Sequence, residues 1–228
     1  LPVENEPPYK QQPTTLFESF DDYKQAAKWF NGMAIEGDAS AQFNLGVLYN
    51  HGRGVDQNFE EAAKWYTLAA AQDNVDAMYG LAVLYQLGQG VEQSYETAAH
   101  LYEKAAKMGH ADAQYNLGSM YNQGQAVEQN FERAAYWYKL AAKQDNTSAL
   151  NNLGFLYHNG QGVEQNYDMA AEKLYSAHYW SNGHDARSFT LAKALDGKTE
   201  THQLYICKIL AECYLKGIGI DKDEEKAH

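Results

Sequence analysis

The cysteines of this chain lie toward its C-terminal end. Cys207 and Cys213 are the two cysteines, and they stand six residues apart in a stretch with a helical pattern. Because an α-helix rises about 1.5 Å per residue, their Cα atoms would lie roughly 9 Å apart, too far for a disulfide. We therefore interpret both as buried free thiols, and the cysteine count does not indicate a cellular compartment.

A second group that could do chemistry consists of His178, His184 and Asp185, whose side chains are all possible metal ligands. Their spacing matches no motif that places two ligands on one helical turn, and no cysteine lies nearby to complete a set. A metal site here is therefore the weakest of three interpretations of this segment. We predict that the chain binds no metal and needs no cofactor.

Nucleophile and base pairs of the hydrolase type are not recognisable. The sequence has no Gly-x-Ser-x-Gly, no His-Glu-x-x-His and no phosphate-binding glycine loop. Neighbouring carboxylates such as Glu60 and Glu61 fall in the first turn of a predicted helix, where acids are favoured by the helix dipole. The residue patterns therefore predict that the protein is not an enzyme.

The dominant feature of the sequence is a nine-residue segment that occurs four times with a period of 36 residues. Its copies run over residues 41–49, 77–85, 113–121 and 149–157. Alanine pairs recur with the same period at 26–27, 62–63, 98–99, 134–135 and 170–171. A fixed period in the range of about 20–50 residues is typical of a solenoid of stacked units.

Each repeat is predicted to form two helices. Ala41, Leu45, Leu48 and Tyr49 form one apolar stripe at helical spacing. Predicted N-caps of the first helices are Asp38, Asn74 and Asn146, and those of the second helices are Asn58, Ser94, Asn130 and Asn166. First helices are predicted to end at Gly52, Gly88, Gly124 and Gly160. Gly46 removes a side chain where we expect another helix to approach closely.

This combination resembles the Sel1-like repeat, a family within the tetratricopeptide-like solenoids. The resemblance rests on Ala41, Leu45-Gly46, Leu48-Tyr49, Gly52, Gly54-Val55, Ala62-Ala63 and Trp65-Tyr66, and on their copies. It implies an all-α fold, a right-handed α/α superhelix of antiparallel helix pairs. It also implies a scaffold or adaptor that holds other proteins, in bacteria including effector immunity. Some cysteine-rich relatives are credited with binding or hydrolysing β-lactams, but their disulfide in each repeat has no counterpart here.

The repeat pattern divides the chain into four segments. We predict an extended Pro-rich arm at 1–15, repeats at 16–183, an insertion at 184–203 and a final, truncated repeat at 204–228. In the final repeat Ile206 takes the place that Ala149 holds in the fourth copy. It stands 57 residues after Ala149 instead of 36, so 21 residues are inserted after Ala171. The insertion is interpreted as a slack loop or, alternatively, as a recognition element, with the metal site as the third interpretation.

In tetratricopeptide-like solenoids the first helix of each pair lines the concave face, and the resemblance extends this arrangement to the present chain. Candidate partner-binding residues are then the non-core positions of the first helices together with two aromatics near the insertion: Phe43, Asn44, Tyr79, Tyr115, Asn116, Asn122, Asn151, Asn152, His158, Tyr179 and Trp180. These side chains are amide-rich, aromatic and uncharged. Related clamps pair such an asparagine with Lys or Arg, and this lining has neither.

Charge narrows the class of partner. The formal net charge is −12, with no basic stripe, which argues against nucleic acid and anionic membranes as partners. No apolar run approaches the roughly 20 residues of a membrane span. The start at Leu1 and the Pro-rich beginning favour export to the periplasm or the exterior, with a cytoplasmic location as the alternative.

Together these observations predict a scaffold or adaptor that binds another protein or an extended peptide in the concave groove. An immunity-type inhibitor of a secreted bacterial effector is a specific form of this prediction. The alternative is a carbohydrate- or peptidoglycan-binding, hydrolase-like module that acts through the insertion.

Overall fold

A computed structural model describes residues 20–166, 169–170, 172–174 and 176–177, and every regular element in this part of the chain is an α-helix. The chain divides into two compact units, Leu1–His110 and Ala111–His228. The helices of the N-terminal unit are α1 (Phe20–Ile35), α2 (Ala39–His51), α3 (Phe59–Ala70), α4 (Val75–Leu87) and α5 (Tyr95–Lys107). Those of the C-terminal unit are α6 (Ala111–Gln123), α7 (Phe131–Ala142) and α8 (Thr147–Asn159).

Consecutive helices pack in pairs, which confirms the predicted α/α repeat. In the N-terminal unit α2 packs on α3 and α4 on α5, and in the C-terminal unit α6 packs on α7. The predicted Pro-rich arm, the insertion and the final repeat lie outside the described residues, as do both cysteines. Among the described helices, none is long and apolar enough to cross a membrane.

The helix ends are set by local side chains, as the sequence predicts. Asp38 Oδ1 accepts a hydrogen bond from the Ala41 N–H at 2.7 Å, and Asn58 Oδ1 accepts one from Glu61 N–H at 3.1 Å. The same bond forms at the other predicted caps that can be compared: Asn74, Ser94, Asn130, Asn146 and Asn166. Helix α2 ends at Gly52 with φ 65°, in the left-handed region that favours glycine.

The core of each pair is made by alanines and a few large side chains. In the N-terminal unit Ala62, Ala69 and Ala77 are fully buried and pack with Leu81 and Leu84. Of the predicted stripe on α2, Ala41, Leu45 and Leu48 are buried, and Tyr49 is partly buried against the core. Small side chains on the second helix allow the two backbones to approach, so that the large residues fill the remaining space.

Gly46 confirms the predicted close approach. A Cβ atom at this position would lie 2.6 Å from Cδ1 of Tyr66, a distance that real Cβ contacts essentially never show. Gly118 stands in the same relation to Tyr138, at 2.8 Å. The glycine therefore makes room for the second-helix tyrosine of its own repeat, and this contact brings Tyr66 and Tyr138 under the first helices.

Candidate functional site

The candidate site is the side of the first helices that does not pack into the core, which we call the first-helix surface. In the N-terminal unit it comprises Phe43, Asn44 and Tyr79, on α2 and α4. In the C-terminal unit it comprises Tyr115, Asn116, Asn122, Asn151, Asn152 and His158, on α6 and α8. All of these are partly exposed except Asn151, and each set projects from helices whose opposite stripe is buried. Tyr179 and Trp180 lie outside the described residues.

The aromatic members are shared between the surface and the core. Phe43 faces Tyr66 with ring centroids 5.9 Å apart, and Tyr115 faces Tyr138 at the same separation. Tyr79 and Tyr102 form the corresponding pair, also at 5.9 Å. Each first-helix aromatic therefore packs against the second-helix tyrosine of its own repeat, so that only part of its ring is available to a partner.

Asn151 occupies the equivalent position in the last described first helix and differs from the others. It is 5% exposed, so it offers almost no surface to a partner. The second-helix position that holds a tyrosine in the earlier repeats holds Leu174 in this one. The aromatic pair is thus replaced by an amide and an aliphatic residue in this repeat.

The amide groups are held in defined positions. Asn44 donates from Nδ2 to the Ser40 carbonyl at 2.8 Å, which leaves its side-chain oxygen as an acceptor. Farther along each first helix, a connector glutamine donates to a backbone carbonyl of the last turn: Gln57 to Asn50, Gln93 to Gln86, Gln129 to Asn122 and Gln165 to His158. These bonds, at 2.8–2.9 Å, fix the end of the surface on which Asn122 and His158 lie.

Buried tyrosine hydroxyls beneath the surface were not predicted from the sequence. The hydroxyl of Tyr138 lies 3.1 Å from Ser119 Oγ and accepts a hydrogen bond from Asn152 Nδ2 at 3.1 Å. Burial raises the pKa of Tyr66 and that of Tyr138 to about 12, so both phenols stay neutral at physiological pH. The sequence signal for them is the recurrence of tyrosine at 66, 102 and 138 with the period of the repeat.

The electrostatic character of the surface is neutral. Within the described first helices the acids stand in the first turn, at Asp76 and Asp112, and the surface positions carry amides, aromatics and histidine. His110 takes the place of the capping residue in its repeat and stacks on Tyr79 at 4.5 Å. Its Nε2 lies 3.5 Å from Asp76 Oδ1. The arrangement suits hydrogen bonding and stacking rather than ion pairing.

The described residues were expected to hold no metal, and their side chains form no metal-binding cluster: they contain no group of three His, Cys, Asp or Glu side chains that could hold a metal ion. The weakest of the sequence interpretations, a metal site at His178, His184 and Asp185, lies outside the described residues. The expectation that the chain needs no cofactor stays a prediction.

Comparison with solved structures identifies similar proteins. A protective antigen of uropathogenic Escherichia coli with an SLR fold is 30% identical over 90% of this chain, with a TM-score of 0.68. This chain spans 39% of that antigen's length. A Sel1 repeat protein of Oxalobacter formigenes is 28% identical over 91% of this chain and 74% of its own, also with a TM-score of 0.68.

A Sel1 repeat protein of Klebsiella pneumoniae shares the fold at 22% identity, over 88% of each chain and with a TM-score of 0.51. No curated protein sequence matches the chain. The sequence model of the family described as Sel1 repeat matches residues 39–74, 75–110, 111–146, 147–176 and 207–228. The chain therefore belongs to the Sel1 repeat family, whose members are protein-interaction scaffolds.

Proposed function

We propose that this protein is a scaffold that binds an extended polypeptide on its first-helix surface. The observation that carries the proposal is the recurrence of uncharged, partly exposed amides on the first helices, at Asn44 on α2 and at Asn116 and Asn122 on α6. An asparagine side chain offers both a donor and an acceptor, which matches the alternating groups of a peptide backbone. The Asn44 amide is held by its bond to the Ser40 carbonyl. The Gln129 bond to the Asn122 carbonyl fixes the last turn of α6, and both bonds reduce the ordering entropy lost on binding.

A narrower form of the proposal concerns the identity of the partner. The polypeptide would be a secreted bacterial effector, and this chain would act as its immunity-type inhibitor, as the family resemblance implies. Co-expression with toxic effectors encoded beside the gene tests this form, because rescue of growth should require the first-helix surface. Failure of every neighbouring candidate would overturn the narrower form and leave the scaffold proposal to its own test.

The scaffold proposal is tested by site-specific photo-cross-linking. A benzophenone amino acid is placed at Asn44 or Asn122 on the first-helix surface, and at exposed Lys64 or Lys104 on second helices as matched controls. First-helix probes should capture one protein of defined mass, and second-helix probes should not. Equal capture at both sets would contradict the proposal, and capture of muropeptide alone would favour a carbohydrate ligand.

A loss-of-binding variant completes the test. Tyr115 is a poor target because its ring packs against Tyr138 in the core of the C-terminal unit. Replacing Asn44, Asn116 and Asn122 together by alanine removes amides that lie outside the core clusters. We expect affinity for the captured protein to fall at least about tenfold while the melting temperature changes by only about 2 °C. Unchanged affinity would remove the first-helix surface from consideration.

A further inference from the structure

Two second helices of this chain are nearly identical in sequence yet present different outer faces. Residues 58–71, which contain α3, and residues 130–143, which contain α7, differ at four positions. The differences replace Glu61 by Arg133, Lys64 by Tyr136, Thr67 by Lys139 and Ala71 by Lys143. All four residues of the α7 segment are exposed, so the core is kept and only the solvent-facing side has changed.

The replacements reverse the charge of this face. The formal charge is −1 over residues 58–71 and +2 over residues 130–143. On α3, Lys64 Nζ lies 2.6 Å from Glu61 Oε1, so that face neutralises itself. On α7 both partners of this pair have been replaced. A local excess of positive charge in a protein of net charge −12 attracts acidic groups.

Arg133 is positioned for such a group. Its Cζ lies 5.4 Å from the centroid of the Tyr121 ring, and its Nη1 donates to the Tyr121 hydroxyl at 3.1 Å. Among the described residues, no carboxylate lies within ion-pair distance of it. The guanidinium is therefore held by a neutral aromatic, and its remaining N–H donors can receive a carboxylate in a bidentate pair.

Aromatic side chains continue the same face. Arg133, Tyr136, Trp137 and Leu140 stand at i, i+3, i+4 and i+7 and so share one side of α7. Tyr136 is 56% exposed and meets Trp137 edge-on, with centroids 5.0 Å apart. Tyrosine, tryptophan and arginine are the residues that dominate binding energy at protein interfaces.

A cavity of about 320 Å³ opens beside Arg133. Tyr121, Val127, Glu128, Asn130 and Arg133 line it. Its volume is enough for one or two side chains of a partner. Glu128 supplies the negative charge on its rim, which opposes a carboxylate entering the cavity and directs it toward the Tyr136 side of Arg133.

We propose that this outer face of α7 is a second docking surface, which takes an acidic segment of a partner protein. Arg133 would pair with a carboxylate of the segment, and Tyr136, Trp137 and Leu140 would cover its flanking apolar residues. The surface belongs to a second helix and is distinct from the first-helix surface. A chain with both surfaces would hold two polypeptide segments at once, as a scaffold requires.

The experiment uses the whole chain and a phage-displayed library of random dodecapeptides. Binding peptides should be enriched in Asp or Glu next to aromatic or aliphatic residues. The key variant is Arg133→Glu with Tyr136→Lys, which gives α7 the Glu and Lys that α3 carries at these two exposed positions and should therefore leave the fold intact. We expect the affinity of enriched peptides to fall at least about tenfold, and Glu128→Gln to raise it about twofold to fivefold.

Two matched variants separate the α7 face from general electrostatics. Arg53 also lies over a tyrosine, Tyr23, at 5.6 Å, so Arg53→Gln is expected to leave peptide binding unchanged. The reciprocal change, Glu61→Arg with Lys64→Tyr, should create a second site on α3. A library that yields no acidic peptides, or peptides that bind the Arg133→Glu, Tyr136→Lys chain within twofold of wild type, would overturn the proposal.

Discussion

Ala126 is an alanine in a backbone conformation that suits glycine. Its φ is 57°, and the equivalent connector positions hold Gly54, Gly90 and Gly162, with φ between 65° and 69°. A Cβ atom at Gly54 would collide with the backbone of Tyr23 and Lys24 in α1. Gly54, Gly90 and Gly162 therefore serve both a left-handed turn and a close approach to the backbone of the preceding second helix.

Substitutions at this position should act in opposite directions. Ala126→Gly relieves about 1–2 kcal/mol of left-handed backbone strain in the folded state. It also raises the entropy of the unfolded chain, which costs about 0.4–1 kcal/mol, so the free energy of unfolding should rise by about 0.5–1 kcal/mol in total. Gly54→Ala adds strain and a backbone collision, so the free energy of unfolding should fall by about 2 kcal/mol or more. Urea unfolding measures both. A loss of stability in Ala126→Gly would contradict the assignment of strain.

The buried tyrosines give a prediction about alkaline stability. Because burial raises the pKa of Tyr66 to about 12, from an ordinary value near 10, the folded state keeps the phenol proton that the unfolded state loses. This contribution is complete below about pH 10 and is lost as the pH rises toward 12. The free energy of unfolding should fall by up to about 1.4 kcal/mol per pH unit for each such tyrosine.

Urea unfolding between pH 8 and about pH 11 measures this dependence. Tyr66→Phe should flatten the decline relative to the wild type, whatever its effect at neutral pH. Tyr136→Phe, which changes an exposed tyrosine, is the control and should keep the wild-type profile. Parallel profiles for wild type and Tyr66→Phe would show that burial does not govern the ionisation of this phenol.

At the scale of the helices, the sequence predicted what depends on near neighbours. Caps such as Asp38 and Asn58 were predictable because the bonded N–H lies three residues away. Hydrogen bonds between side chains about 30 residues apart were missed, since the period of one helix does not indicate which distant side chain bonds to it. Gln42 on α2 illustrates this: it is 5% exposed and accepts a hydrogen bond from Gln72, which lies in the turn after α3 of the same helix pair.

The candidate site shows the same division. The helical period placed Asn44 and Asn122 on the partly exposed side of their helices, as expected. It could not show that Phe43 and Tyr115 rest on second-helix tyrosines, or that Asn151 is buried. Those outcomes depend on which side chain arrives from the other helix, and the period of one helix carries no such information.

Gln42 and Gln72 should be energetically coupled. Gln42 Nε2 donates to the Ala34 carbonyl at the end of α1, at 3.1 Å, and its Oε1 accepts from Gln72 Nε2 at 2.8 Å. The next repeat carries Met78 and Met108 at the equivalent positions, so the pair alternates as a unit. Each single change to Met should cost about 1–2 kcal/mol, because it leaves a polar group without its partner.

A double-mutant cycle tests the coupling. The double variant Gln42→Met, Gln72→Met should cost less than the two single changes added, by about 0.5–1.5 kcal/mol. Gln114 and Gln144, bonded at 2.9 Å, allow the cycle to be repeated in the C-terminal unit. Additivity within about 0.3 kcal/mol would show that the bond contributes nothing beyond its separate parts.

At the scale of the whole molecule, the distribution of charge matters more than any single ion pair. Every connector carries an exposed acid, at Asp56, Glu92, Glu128 and Glu164, and another acid follows four residues later in the sequence. Among the described residues, none of these four takes part in an ion pair. Local dipoles favour acids at the starts of the second helices, yet the same placement repeats negative charge along the chain.

Screening this repulsion should stabilise the protein. With a formal net charge of −12, raising NaCl from about 20 mM to about 300 mM shortens the Debye length from roughly 20 Å to below 6 Å. We expect the melting temperature to rise by about 2–5 °C, measured by calorimetry at pH 7.5. The variant Asp56→Lys, Glu92→Lys, Glu164→Lys changes the charge by two units at each site, from −12 to −6, and should lose most of this salt response.

If salt lowered the melting temperature of the wild type, attraction between local ion pairs such as Lys64–Glu61 would outweigh the long-range repulsion.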